Sequence, residues 1–438
     1  MPSSDAIALK QLSLPLSGDP RDYDRLLARI GDARLVLIGE ASHGTHEFYR
    51  TRAEITQRLI AELDFTAVAV EADWPDAYRV NQYVRGISDD VTADAALSGF
   101  RRFPTWMWRN ADVVKFVDWL RAHNDRVDPA MRAGFYGLDL YSLNTSIAAV
   151  LDYLQETDPE AAQRARYRYS CFEQFGEDVQ AYGYAASFDL DQSCEKEVVA
   201  QLVELNRAIV GRNGDSDQAL FSAEQNARLV RNAEAYYRSM FRSRSESWNL
   251  RDHHMMESLQ ALMRLPAPPG RTARTVVWAH NSHLGDARAT EVAQRGELNL
   301  GQLVREAYGN EAVLIGFTTH HGSVTAASDW DEPAQRKRVR PGLPGSYEAL
   351  FHSVDMPRFQ LDLKAPGVAD ALSTPLLERA IGVIYRPESE RLSHYFRADL
   401  SRQFDWLLHM DHTSAVVPLE PGERWHAGEP PETYPSGL

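Results

Sequence analysis

No apolar run in this sequence is long enough to cross a bilayer; runs such as Leu35 to Ile38 and Val68 to Val70 are strand-sized. Residues 1–20 lack a basic segment followed by a long apolar stretch and a small-residue cleavage site. No secretory leader is therefore expected, no membrane is a partner, and the protein reads as cytoplasmic. Cysteine is scarce: Cys171 and Cys194 are the only two. They lack zinc-ligand spacing; a single disulfide stays open, but free thiols in a reducing cytoplasm are the expectation. Positive charge is in deficit, with 47 Lys and Arg against 62 Asp and Glu and a formal net charge of -15. That balance excludes a nucleic-acid backbone as partner, which would need a basic face. The one basic run, Arg336, Lys337, Arg338 and Arg340, sits in a Pro/Gly-rich stretch and reads as a solvated loop. Also missing are G-x-S-x-G, H-E-x-x-H, G-x-x-x-x-G-K-[ST] and G-x-G-x-x-G. Their absence removes support for a serine hydrolase, a zincin and the common nucleotide binders.

What is present is an ordinary globular composition, 44% hydrophobic and 25% charged, over 438 residues. That length is long for one compact domain, so a core with a large insertion or a second domain is expected. Short runs rich in β-branched residues read as strands: ARLVLIGE, FTAVAVEAD, RAGFYGLD, ARTVVWAHNSH, AVLIGF, SVTAAS, RFQLDL and IGVIYRP. Helical patterns such as HEFYRTRAEITQRLIAEL lie between the first of them. This alternation predicts an α/β fold with a central, largely parallel sheet flanked by helices. Beyond Asn144 the strand signal gives way to long amphipathic patterns, ending at the turn LPAPPGRTART. The expected organisation is a first part of the α/β core over 1–143, a helical insertion over 144–270, and the second part of the core over 271–438.

Charge and imidazole fall at the ends of the predicted strands. The first delivers Glu40, then His43 and His46; the second Glu71 and Asp73; the third Asp139; the fourth His280 and His283. In an open α/β sheet, ligands bind beyond the carboxyl ends of the strands, where loops and helix N-termini converge. These residues are thus expected to share a pocket. Gly39 is expected to let the chain turn off the first strand. His43 is the candidate general base, because imidazole titrates nearest neutrality, and Glu40 or Glu71 could fix its tautomer. Arg52, on the helix that follows, could hold the carboxylates ionised. His280 or His283 could donate to an oxyanion or protonate a leaving alkoxide. His46, Asp139, Trp106 of the aromatic cluster FPTWMWRN, and Arg251 of SWNLRDHHMMESL are candidates for substrate contact. His320 and His321 follow a strand and are expected to be exposed. With no covalent nucleophile motif, water activated by histidine is the simplest reaction. Residue type leaves two rivals open: the same imidazoles and carboxylates could chelate a divalent metal in a peptidase or amidase, or the histidines could hold haem or another ligand.

The blocks LIGEASHGTHEFYRTR, AVAVEADWPDAYRVNQYVRG, FPTWMWRN, GFYGLDLYSL, AYYRSMFRSRSESWNLRDHHM, WAHNSHLGD, NLGQLVRE and AIGVIYRPESERLSHYF occur in this order over nearly the whole chain. The sequence resembles the erythromycin esterase family, in particular its succinoglycan-biosynthesis-like subgroup. The resemblance implies hydrolysis without a metal or other cofactor, with a histidine acting as base on water. Position by position, that base falls on His43 with Glu40 before it, the motif's arginine on Arg52, its second-strand glutamate on Glu71, and the later pair on His280 and His283. It also implies a small-molecule ester as substrate, the macrolide lactone in the family's drug-resistance enzymes, and a cleft between an α/β core and helical elements.

Overall fold

The computed structural model describes residues 4–176, 178–188, 193–211, 218–267 and 270–427. Its strands are β1 (Leu14–Pro15), β2 (Leu35–Ile38), β3 (Ala67–Asp73), β4 (Gly134–Asp139), β5 (Thr275–Trp278), β6 (Ala312–Ala326), β7 (Gln335–Val339), β8 (Arg358–Asp362), β9 (Leu376–Arg379), β10 (Tyr395–Ala398) and β11 (Trp406–Thr413). The main sheet runs β1-β8-β11-β6-β2-β5-β3-β4, with β7 folded back on the far half of β6. Every pairing from β11 to β4 is parallel, while β8, β1 and β7 pair antiparallel. β9 and β10 form a separate antiparallel pair.

Each central strand is buried on both sides, and its residues alternate between two cores. Val36, Ile38, Val68, Val70, Val276 and Trp278 face helices His46–Leu63, Trp74–Arg85 and Ala111–Asn124. Leu35, Leu37, Ala69, Leu138 and Val277 face the other way, and pack with Val198, Leu229, Val230, Met255 and Leu259 from the segment between β4 and β5. The long elements of that segment are helices, Leu143–Thr157, Pro159–Tyr169, Val179–Phe188, Glu195–Gly211, Gln218–Met240 and Arg244–Met263. They supply the third layer of a helix–sheet–helix sandwich. Part of the turn expected at their end, 268–269, lies outside the described residues.

Several local expectations change. AVLIGF and SVTAAS are one strand, β6. IGVIYRP is not a strand; it makes only isolated bridges, from Ile381 to Ser42 and Ile384 to Ala327. β11 was not foreseen, because His409, Asp411 and His412 interrupt its apolar run. The basic run is β7, not a loop: Lys337 is buried, with its ammonium donating to Ser328 Oγ and the Tyr385 carbonyl at 2.7 Å each. His320 is buried and His321 half-buried, instead of exposed.

The cysteines also depart from expectation, being joined in a disulfide. Phe172 and Phe175 pack edge-on against Tyr182, and the Tyr182 hydroxyl accepts from Cys194 N at 3.0 Å. This packing draws the two chain segments together, with Cα atoms 5.9 Å apart across 23 residues of sequence, within bonding reach. Cysteine spacing carries no trace of that contact, and the disulfide takes away the cysteine argument for a reducing compartment. Protein denatured without reductant is therefore expected to take up no alkylating label, and a Cys171→Ser/Cys194→Ser variant to lose roughly 3 kcal/mol of stability. Two labels per chain before reduction would show free thiols.

Candidate active site

The carboxyl ends of β2 and β5 are pinned together by Asn281, whose N–H donates to the Glu40 carbonyl at 2.8 Å and whose side chain donates to the Phe317 carbonyl at 2.8 Å. This explains Gly39 differently from the sequence reading. Gly39 is not among the residues with positive φ, but a Cβ there would lie 2.2 Å from Asn281 Oδ1 and 3.1 Å from the Ile315 carbonyl. Glycine is required for close approach, not for a turn. Past Glu40 the chain is held by His43 N donating to the Ile381 carbonyl (3.2 Å) and by the Tyr49 hydroxyl donating to the His43 carbonyl (2.6 Å).

Glu40 and His43 form a buried pair, with Oε1 and Nδ1 2.9 Å apart. The second Glu40 oxygen lies 3.1 Å from Arg52 Nη2. Arg52 is wholly buried, its guanidinium over the rings of Tyr49 and Trp278 at 4.5 and 5.2 Å. A carboxylate paired with arginine accepts, so His43 carries its proton on Nδ1 and presents a lone pair on Nε2. That nitrogen stands 4.0 Å from Glu71 Oε1.

His280 lies beside it, the ring centroids 4.8 Å apart. Its Nδ1 accepts from Ser282 N at 3.2 Å and meets Ser282 Oγ at 2.8 Å. The proton therefore sits on Nε2, which is buried and, with the Ala41 carbonyl nearby, closes no well-formed hydrogen bond. Burial, then the neighbouring His43, push the His280 pKa down to about 3, so it is a neutral N–H donor at pH 7.

Arg251, from the helix Arg244–Met263, ties the rest together. It donates to Asp139 through Nε (3.0 Å) and Nη2 (2.7 Å), to Glu71 Oε1 through Nη2 (2.7 Å), and to His283 Nε2 through Nη1 (2.9 Å). Glu71 spends its other oxygen on the His280 N–H at 2.8 Å. Burial alone would raise the pKa of Glu71, but His283, His43 and Arg251 together hold it well below the carboxylate range. Asp139 is likewise held low by Arg251 against burial. His283 donates from Nδ1 to Asp252 at 2.9 and 3.0 Å and stacks on Trp248, centroids 4.6 Å apart. Burial opposes its protonation, but Asp252 and Glu71 outweigh burial and raise its pKa. With Arg251 on Nε2 its resting form is neutral, and it takes a proton only if that contact opens.

His43, Glu71, Asp139, Arg251, His280 and His283 line the floor of one cleft of about 780 Å³, within the usual range for small-molecule sites. Its walls are apolar and aromatic, with Phe103, Trp108, Trp330 and Ile384 among them. Glu40 and Arg52 support His43 from behind. Two expected residues stand apart. His46 pairs with Asp112 at 2.6 Å, which raises its pKa, and does not line the cleft. Trp106 is buried edge-on against Phe103, while its neighbours Phe103, Pro104, Met107 and Trp108 reach the cleft instead. The metal reading loses geometry too: His46 is elsewhere, Nδ1 of His43 is taken by Glu40, and both nitrogens of His283 are engaged.

Asp73 lines the cleft as expected, whereas sequence reasoning missed Ser282, which sets the His280 tautomer, and Arg102 and Asp76, which join Asp73 at the cleft wall. Arg102 donates to Asp73 Oδ2 at 3.1 and 2.7 Å. Burial, then Asp73, push the Asp76 pKa up to about 7. The position of Ser282 within HNSH, two residues after His280, was the available signal for the first; Arg102 offered none.

The erythromycin esterase family model matches residues 60–413. YbfO of Bacillus subtilis, which bears the name of a hydrolase, is 21% identical over 406 residues, spanning 88% of this chain and 84% of that protein. Erythromycin esterase type II of Escherichia coli is 22% identical over 324 residues, 70% of this chain and 73% of that one. Among solved structures, a Bacillus cereus protein superposes with a TM-score of 0.79 at 20% identity, covering 95% of this chain and 98% of that one. A succinoglycan biosynthesis protein gives 0.76 at 20% identity, covering 94% and 97%. An erythromycin esterase mutant in its open conformation gives 0.67 at 16%, covering 90% and 95%. The structural likenesses speak for the fold, and the family model spans most of the sequence. The chain belongs to the erythromycin esterase family, a family of hydrolases.

Proposed function

We propose that this protein hydrolyses a carboxylic ester by histidine-activated water, without a metal and without a covalent intermediate. The observation that carries this reading is the buried Arg52–Glu40–His43 relay, whose free Nε2 is at the cleft floor beside a neutral imidazole donor. His43 Nε2 takes a proton from water as the oxygen attacks the ester carbonyl, and Glu40 stabilises the imidazolium that forms. A water on Nε2 is also within reach of Glu71. The oxyanion of the tetrahedral intermediate accepts from His280 Nε2–H, a neutral donor that turns to it from its place beside the Ala41 carbonyl. Collapse expels the alkoxide, which takes the proton back from His43 and leaves an acid and an alcohol. Arg251 supplies positive charge behind Glu71 and Asp139, and His283 links it to Asp252.

The apolar walls over a charged floor suit a bulky ester with a largely hydrocarbon body. A macrolide lactone is one such substrate, and its being the substrate of named relatives makes it the first to try. Turnover of an ester and lactone panel including erythromycin, with and without chelator, tests the proposal. Chelator-resistant hydrolysis is expected, and activity that vanishes with EDTA and returns with metal would replace this mechanism.

His43→Ala is expected to lower kcat by at least ~10²-fold with the circular dichroism spectrum unchanged; full activity would end the assignment. His280→Ala is expected to cost ~10²-fold in kcat. Because His280 protonates only near pH 3, that variant should leave the acid limb of the kcat/KM profile between pH 5 and 8 where it was. A displaced limb would make His280 the titrating group instead.

A further inference from the structure

A second gathering of imidazoles lies outside the cleft. β6 and β11 run parallel in a register that sets Thr319 opposite Met410 and His321 opposite His412, so His320 comes beside Asp411. The helix Tyr347–His352 crosses this end of the sheet and lays His352 flat on His320, ring centroids 3.9 Å apart and planes 4° from parallel. His321 meets His320 through their Nδ1 atoms at 3.0 Å, and His412 packs on His321 with centroids 5.1 Å apart. Among the described residues, His320, His321 and Asp411 are the one group of three whose ligand atoms all lie within 4.8 Å of one another. None of these residues lines the cleft.

We propose that His320, His321 and Asp411 bind one divalent transition-metal ion of the imidazole-preferring kind, zinc first. Two nitrogens each ~2.1 Å from one ion, at a right or tetrahedral angle, stand about 3.0–3.4 Å apart, which is the spacing of the two Nδ1 atoms. The half-buried His321 and Asp411 have the freedom to close on an ion. Asp411 is already oriented: His352 Nδ1 lies 2.7 Å from its Oδ1, and His409 Nε2 lies 3.6 Å from the same oxygen. His409 is wholly buried, held through Nδ1 by Thr318 Oγ1 at 2.9 Å, and its Nε2 closes no hydrogen bond. Outer contacts of this kind, fixing a ligand carboxylate, are what metal sites use to align their donors. Two imidazoles and a carboxylate suit zinc, nickel or cobalt rather than calcium or magnesium, which take oxygen ligands. The ion would clamp the far end of β6 to β11, where Arg379 also binds the Thr319 and His320 carbonyls at 3.3 and 3.1 Å.

The test uses tag-free, full-length protein stripped with EDTA, titrated calorimetrically with zinc and followed by thermal unfolding. Expected are one ion per chain and a rise in Tm. Affinity should fall at least about tenfold in His321→Ala and in Asp411→Asn, and be retained in His43→Ala. Lack of binding, equal affinity in His321→Ala, or loss of binding in His43→Ala would overturn the assignment; the last would place the ion in the cleft. Should Asp411→Asn fail to fold, the half-buried His321→Ala decides alone. Hydrolysis is not the readout, so the fate of this site and that of the proposed esterase mechanism are separable.

Discussion

Three carboxylates, Glu71, Asp139 and Asp252, are buried around one floor, and Arg251 is the cation that makes the arrangement possible. Its guanidinium touches two of them directly and the third through His283. Without it, adjacent strand ends would present uncompensated buried negative charge, a situation that costs about 3–5 kcal/mol when one partner of such a pair is removed. Arg251 belongs to the helical segment, whereas Glu71 and Asp139 end β3 and β4. The same contact therefore organises the electrostatics of the cleft and seats the helical layer over the carboxyl edge of the sheet.

Around that anchor, three histidines of the same chemistry are set to three tasks by their second nitrogens. His43 donates its Nδ1–H to Glu40 and keeps a lone pair on Nε2. His280 receives an N–H on Nδ1 and keeps a donor. His283 is held between Asp252 and Arg251, and serves as a link in the charge network. The divergence is one of environment: a buried carboxylate, a backbone amide at a helix start, and an acid–arginine pair. Setting a lone pair on one ring beside an N–H on the other keeps two adjacent imidazoles from competing for one proton.

Histidine is concentrated at two places on the carboxyl side of the sheet, and their surroundings differ in kind. At the cleft, every ring is paired with a carboxylate or an amide that dictates its tautomer. At the ends of β6 and β11, rings face rings, with Asp411 between them. The first pattern suits proton transfer, the second suits an ion that can gather several lone pairs at once.

Much of this was legible in the residue order. The apolar runs at 35–38, 67–70 and 275–278 read as strands because they are short and rich in β-branched residues, and as a largely parallel sheet because helical patterns lie between the first of them. The grouping of Glu40, His43, Glu71, Asp139, His280 and His283 followed from their places at strand ends, since a parallel sheet brings those ends to one edge. What sequence could not supply was anything decided by a contact between distant segments. β11 hid behind His409, Asp411 and His412, whose polarity only makes sense beside β6. Trp106 and Trp108 are equivalent on paper, but the turn of the chain sends one into the core and its neighbour to the cleft. His46 shares the H-x-x-H spacing with His43, yet Asp112, 66 residues away, claims it. The pairing of Cys171 with Cys194 depends on how Phe172 and Phe175 meet Tyr182. Local patterning set the elements and the edge at which the chemistry gathers; tertiary packing alone chose the tautomers, the partners and the bystanders, because those follow from which groups are left without water and beside whom.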